Sequence, residues 1–322
     1  MLSRRNFGAA MASTWLLPTM ALADSPPAVR DLHITVLSTM LAERGLGEWG
    51  FSALVESGGR KLLFDTGAHA DLVLKNAEDL KVDLASVEEL VLSHNHWDHV
   101  GGLVTLRTTL AQRNPRALQV AHVGAGIFTP RSDEGKDSNG LNKYRAAYEA
   151  AGGRFVVHDR PDALWPGVWL TGPVPRPNEE RNWSGHSELL DEAGRPIGED
   201  NLPEDCALVF DTVKGLVILT GCGHAGVVNI SEYARTRVRQ APIEALVGGL
   251  HLFAASDKVI DWTVSKLKPM QVRHLLAAHC TGIEATYKLR AGLGLARGAA
   301  NVAAIGSVYD LDGGVMAGKL AG

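Results

Sequence analysis

Cysteine is scarce in this chain: Cys206, Cys222 and Cys280 are the only three in 322 residues. An odd, small number is no disulfide framework, and a chain of this length can bury an adequate core without one. There is no basic excess either. The 32 Lys and Arg are outnumbered by 36 Asp and Glu, the formal charge is -4, and no basic tract occurs. Nucleic-acid binding therefore lacks its electrostatic footprint. Also missing is an apolar run of about 20 residues, the length a permanent membrane-spanning helix needs. Short-period repeats and low-complexity tracts are absent as well, which excludes solenoids and disordered linkers.

What is present begins with a targeting signal. Arg4 and Arg5 precede an apolar stretch from Gly8 to Leu22, and Ala21-Leu22-Ala23 places small residues where a signal peptidase cuts. The expectation is a twin-arginine signal peptide over 1–23, removed on export to the periplasm or medium. That leaves 24–322 as a single domain with no stable membrane insertion.

The mature part opens with strand-like runs at 33–37, 51–56 and 61–64, followed by a helix over 70–80 and an apolar strand at 89–92. A further helix to about Arg113 and a strand at 118–123 come next. From about 124 to 203 the pattern loosens into an expected irregular insertion, apart from a helix over 141–151. Regularity returns with a hairpin, 206–211 and 216–220, turned at Lys214-Gly215. A helix to about Arg239 and strands at 245–247, 274–278 and 302–305 follow. Strand runs that give way to alternating strand and helix occur twice, the pattern of two similar halves with sheets packed face to face and helices outside.

The chemistry concentrates in His94-x-His96-x-Asp98-His99, four potential ligands in six residues just after an apolar strand and before Gly101-Gly102. In extended chain, side chains at i and i+2 point the same way, so His94 and His96 can grip one ion. The turn at Trp97 swings Asp98 and His99 towards a second. Imidazole and carboxylate donors suit zinc, with iron and manganese as alternatives. Other donors must come from distant segments, and His224 and His279 both stand just past strand ends. A structural histidine is the bland alternative for each. His251, in Gly248-Gly249-Leu250-His251, is open between ligand and substrate contact. His122, His158, His186 and His274 read as surface or core residues. Asp65 follows a strand and precedes a helix, so it can cap that helix or hold a ligand histidine from behind. Cys222 and Cys280 lie beside His224 and His279. Trp165, Trp169 and Trp183 are candidate stacking surfaces of a pocket wall, although tryptophans more often pack.

Phe64-Asp65-Thr66-Gly67, the His94–His99 motif with its Gly-Gly, and the two later histidines together resemble the metallo-β-lactamase superfamily. The resemblance implies an αββα sandwich, two mixed sheets face to face with helices outside, and a two-metal site at one edge. The set Gly221-Cys222-Gly223-His224-Ala225-Gly226, Gly248-Gly249-Leu250-His251 and His279-Cys280-Thr281-Gly282 is similar to one subgroup. Its members are labelled 7,8-dihydropterin-6-yl-methyl-4-(β-D-ribofuranosyl)aminobenzene 5′-phosphate synthase. Two positions depart from the superfamily pattern. Asn201–Asp205 contains no third histidine for the first site, and the Gly221–Gly223 turn lacks the bridging Asp.

The expected function is therefore a binuclear, metal-dependent hydrolase of a small molecule, pterin-like or phosphorylated, working by attack of a metal-bound hydroxide. His94, His96 and His224 would hold one ion, and Asp98, His99 and His279 the other, with Asp98 also orienting the nucleophile. The alternatives are a lactonase or β-lactamase on the same fold, or a periplasmic binding protein with structural metal. A nuclease is disfavoured by charge, and a diiron redox enzyme by Asn95, where a carboxylate would be expected.

Overall fold

The computed structural model describes residues 29–182 and 186–321. The signal-peptide reading at 1–23 and the stacking role considered for Trp183 both fall outside the described residues. Among the described residues, no helix is long and apolar enough to cross a membrane.

Period-two burial builds the centre of the molecule. Along Arg60–Phe64, Leu62 and Phe64 enter one core while Leu63 enters another on the opposite face. Along Gly215–Thr220, Val217 and Leu219 share the first core, and Leu216 and Ile218 point the other way. Strands apolar on both faces must be covered on both faces. The two sheets meet over one core, and each carries helices on its outer face. Leu103, Leu106 and Leu110, at helical spacing on Leu103–Ala111, pack against the first sheet. Val227, Ile230 and Ala234 of Val227–Arg237 do the same on the second. The architecture is the expected αββα sandwich.

The halves match in topology. In the eight-stranded first sheet, Ser52–Ser57 and Arg60–Phe64 form an antiparallel hairpin, continued in parallel by Glu89–Leu92, Val120–Gly124 and Arg154–His158. In the seven-stranded second sheet, the hairpin of Ala207–Thr212 and Gly215–Thr220 is continued in parallel by Ile243–Gly248, His274–Ala277 and Ala300–Val302. Parallel strands end on the same edge, so the loops after Phe64, Leu92, Thr220, Gly248 and Ala277 converge there.

Two regions differ from the sequence expectation. The 124–203 stretch is largely woven into the fold: Arg154–His158 completes the first sheet, and Asp162–Trp165 with Val168–Leu170 completes the second. Only a small sheet of Arg131–Asp133, Lys136–Asp137, Ser187–Leu190 and Pro196–Glu199 stands apart. These strands are short and half-exposed, so they lack a strong apolar signature. The apolar run near 302–305 is also split. Ala300–Val302 joins the second sheet, while Ala304–Ile305 pairs with Leu41–Ala42 as the chain crosses between sheets.

Candidate metal centre

The converging loops bring His94, His96, Asp98, His99, His224 and His279 together. Donor atoms of His94, His96 and His224 lie within 4.8 Å of one another, as do those of Asp98, His99 and His279. The imidazoles of His94 and His99, one from each trio, are 4.2 Å apart between ring centres. These are the two groupings that the strand-end positions suggested.

Hydrogen bonds behind the rings settle which nitrogen faces inward. Asp65 is fully buried, and its Oδ2 accepts from His99 Nδ1 at 2.7 Å and from Ser93 Oγ at 2.7 Å. Its Oδ1 accepts from the Ser93 backbone N–H at 2.7 Å. With the Ser93 proton committed to Asp65, Ser93 Oγ is left to accept from His94 Nδ1, 2.9 Å away. The Asn182 carbonyl accepts from His224 Nδ1. All three imidazoles are thereby held as Nδ1–H tautomers with Nε2 turned to the centre. Asp65 does not cap the helix that follows: Asp71 occupies that cap, and Asp65 orients ligand histidines instead.

The inward atoms are short of partners. His94 Nε2, His224 Nε2 and both ring nitrogens of His279 are buried without a hydrogen bond. His279 Nε2 does approach Asp98 Oδ2, at 3.2 Å, but outside hydrogen-bond geometry. Each such orphan costs about 1–3 kcal/mol unless something binds there. A divalent cation in each trio would take up His94 Nε2, His224 Nε2 and one ring nitrogen of His279, so the donor set fits metal.

The electrostatics agree. Burial drives His94 and His224 well below the ordinary histidine pKa and takes His96 and His251 down to about 4. These rings are neutral near pH 7, as ligands must be. Burial opposes charge on His99 too, but the Asp65 and Asp98 carboxylates overcome it and push that ring up to about 9. Burial likewise opposes ionisation of Asp98, yet His99 and His279 hold it well below the usual carboxylate range. The carboxylates of Asp65 and Asp98 thus favour positive charge at His99, and a cation bound by the second trio would take the place of the Nε2 proton.

Cys222 lies between the trios. Its Sγ is 3.0 Å from His99 Nε2, and it groups both with His94 and His99 and with His279 and Cys280. It thus fills the turn in which the bridging Asp was missed. All three cysteines are free thiols.

Glu204 stands where a third histidine was missed, and it serves a different purpose. Its carboxylate accepts from Asn95 Nδ2 at 2.5 Å and from Arg131, and fully buried Arg131 also donates to Asp200 Oδ2 at 2.8 Å. This buried network pins the residue between His94 and His96 to the small sheet.

Backbone strain gathers at the same edge. Asp65, His251 and His279 adopt φ of 56°, 49° and 47°, a region that non-glycine residues rarely occupy. Close packing needs glycine nearby: a Cβ on Gly101 would sit 1.9 Å from the Ala68 carbonyl oxygen. The Gly-Gly pair lets the helix carrying Asp98 and His99 lie on the loop that carries Asp65.

His251 sits beside His224, ring centres 4.4 Å apart, but joins neither donor trio. Trp165 and Trp169 do not line the centre. Trp165 is buried between the sheets beneath the Arg60 guanidinium, and Trp169 packs on the outer face of the second sheet. Alternation along the edge strand Asp162–Trp165 and its neighbour Val168–Leu170 put them there. The aromatic residues that do reach the centre are Trp49 and Phe253, which sequence reasoning missed. Ring centres of Trp49 and His279 are 4.9 Å apart, and those of Phe253 and His251 are 5.4 Å apart. His122 and His158 pair with each other at 2.9 Å, His274 bonds the Glu244 carbonyl, and His186 is exposed.

Residues 50–114, which contain the His94–His99 motif, match the metallo-β-lactamase superfamily. A 7,8-dihydropterin-6-methyl-4-(β-D-ribofuranosyl)-aminobenzene-5′-phosphate synthase of Methanocaldococcus jannaschii is 31% identical over 238 residues, 72% of this chain and 79% of that protein. The crystal structure of Tm1679, a metal-dependent hydrolase of the β-lactamase superfamily, superposes with a TM-score of 0.67 at 27% identity, covering 81% of this chain and 93% of that one. The zinc-bound PqqB of Methylobacterium extorquens shares the fold at TM-score 0.51 and 15% identity, over 86% and 99% of the two chains. With the sandwich, the strand-end histidines and these likenesses together, the chain belongs to the metallo-β-lactamase superfamily.

Proposed function

We propose that the protein is a binuclear metal-dependent hydrolase of a small molecule. The observation that supports this most strongly is the pair of donor trios with buried, unpartnered nitrogens aimed inward. His94, His96 and His224 would hold one divalent ion, and Asp98, His99 and His279 the other. Cys222 would be the donor between them. Zinc is the expected metal, since histidine, carboxylate and thiolate together match its preferences. Such ions polarise a carbonyl or phosphoryl oxygen and bring water within reach of ionisation near neutral pH.

The chain's own residues supply the rest. Asp65 and Ser93 lock the rings of His99 and His94. Asp98 directs one oxygen to His279 and can orient the attacking nucleophile with the other. His251, partly exposed beside His224, is placed to contact substrate.

The Methanocaldococcus relative is named for a phosphorylated dihydropterin compound, which makes pterin-like and phosphorylated substrates the first classes to test. Export through the twin-arginine pathway, for which Arg4, Arg5 and the Ala21–Ala23 site argue, would place this chemistry in the periplasm. The test is a panel of esters, lactones and phosphodiesters offered to zinc-loaded protein. Turnover is expected in the wild type and its loss in His94→Ala and His279→Ala. Activity that survives both substitutions contradicts the assignment.

A further inference from the structure

Two large apolar side chains stay on the surface at the edge of the metal centre. Trp49 is 42% exposed and Phe253 54%. They come from opposite halves of the fold, yet their rings meet edge to face, 5.6 Å apart at 81°. Trp49 covers His279 and Phe253 covers His251. The pair therefore forms an arch, one foot on the metal-ligand candidate His279 and the other on His251, the partly exposed histidine beside His224.

The backbone at both feet is tied down. Next to Trp49, the buried Glu48 carboxylate accepts from Ser38 Oγ at 2.5 Å, the Ala68 N–H at 3.0 Å and the His69 N–H at 2.8 Å. Phe253 donates its backbone N–H to the Cys280 carbonyl at 3.1 Å. Its Cα lies 2.8 Å from where a Cβ on Gly282 would stand, and Gly282 has φ of +82°. Only glycine there lets the Phe253 loop close onto the His279–Thr281 turn. Aromatic groups left half in water, on loops placed this closely against the centre, offer a face for another flat surface.

We infer that Trp49 and Phe253 determine specificity by selecting substrates with a flat aromatic ring next to the group that reaches the metals. The inference rests on the metal-centre reading above, and it concerns the ring, whatever bond is broken. Two side chains offer area for one small ring system and far too little for a protein partner.

The test compares binding of 1-naphthyl phosphate and methyl phosphate to the zinc-loaded full chain by calorimetry. The phosphate is common to both probes, so only the ring differs. Wild type is expected to favour the naphthyl probe by about tenfold or more. Phe253→Leu, and separately Trp49→Leu, should lower that ratio several-fold, with zinc content and affinity for methyl phosphate unchanged. The two variants test the same idea from different loops, so poor folding of one leaves the other decisive. Equal affinity for the two probes in wild type, or a ratio preserved in the folded variants, overturns the inference. A protein that keeps the ring preference but hydrolyses nothing in the substrate panel overturns the hydrolase reading and leaves this one standing. Hydrolysis without ring preference does the reverse.

Discussion

Replacing Asp65 with Asn should weaken metal binding without emptying the fold. The carboxylate receives three hydrogen bonds of 2.7 Å, from His99 Nδ1, Ser93 Oγ and the Ser93 N–H. An amide can keep the backbone bond, but it then turns its own N–H groups towards two donors. Charge-assisted bonds of this kind are worth about 1.5–3 kcal/mol each. Loss of such a partner behind a ligand histidine typically costs 10–100-fold in metal affinity, or about 1.4–2.7 kcal/mol. A chromophoric chelator competing for zinc measures this directly. The metal-free protein gives a second signature. Asp65 and Asp98 raise His99 from 6.5 to about 9, so this pairing stabilises the fold fully below pH 6.5 and is lost as pH rises through 9. The stability difference between wild type and variant, from denaturant titrations, should shrink across that window by up to roughly 3 kcal/mol. Zinc affinity within threefold of wild type, together with a pH-independent stability difference, would refute the role given to Asp65.

Four further substitutions probe other parts of the centre. In Gly221→Ala the new methyl would lie 2.1 Å from Ser93 Oγ and 2.6 Å from Asp65 Oδ2, so it should lower zinc affinity much as Asp65→Asn does, although position 221 touches no metal. Arg131→Ala strands the buried carboxylates of Glu204 and Asp200; thermal unfolding should show a loss of about 3–5 kcal/mol, far more than an exposed ion pair contributes. Cobalt-loaded wild type should show a sulfur-to-metal charge-transfer band that Cys222→Ser removes and Cys280→Ser keeps. The opposite pattern would move the thiolate role to Cys280.

Much of this was legible along the chain because the chemistry sits at strand ends. A strand apolar on both faces, followed at once by His94 or His279, announces both its burial and the edge at which the histidine emerges. Asp65 was readable as far as its position, but the choice between cap and partner to His99 depends on a contact 34 residues away. Trp49 and Phe253 carried no signal, since each reaches the centre through a loop whose path is set by long-range bonds. The same holds for Asn182, which acts through a backbone carbonyl that any residue would offer. Trp165 and Trp169 misled because composition in a loosely patterned stretch suggested a pocket wall, whereas they stand on the last two strands of the second sheet, Asp162–Trp165 and Val168–Leu170, whose alternation turns them into packing. The C-terminal strands Val308–Asp310 and Gly314–Met316 were missed for a related reason: each is three residues long, and the first is defined by pairing with His33–Ser38, far away in sequence, with the second pairing onto the first.

Whether the two donor trios hold two ions is decided by elemental analysis of the protein purified without added metal. Close to two equivalents of zinc, iron or manganese per chain are expected, falling on substitution of His94 or His279. One equivalent or none, with a folded protein, would contradict the binuclear centre and favour a binding protein in which the departures at Asn201–Asp205 and Gly221–Gly223 have cost the site an ion.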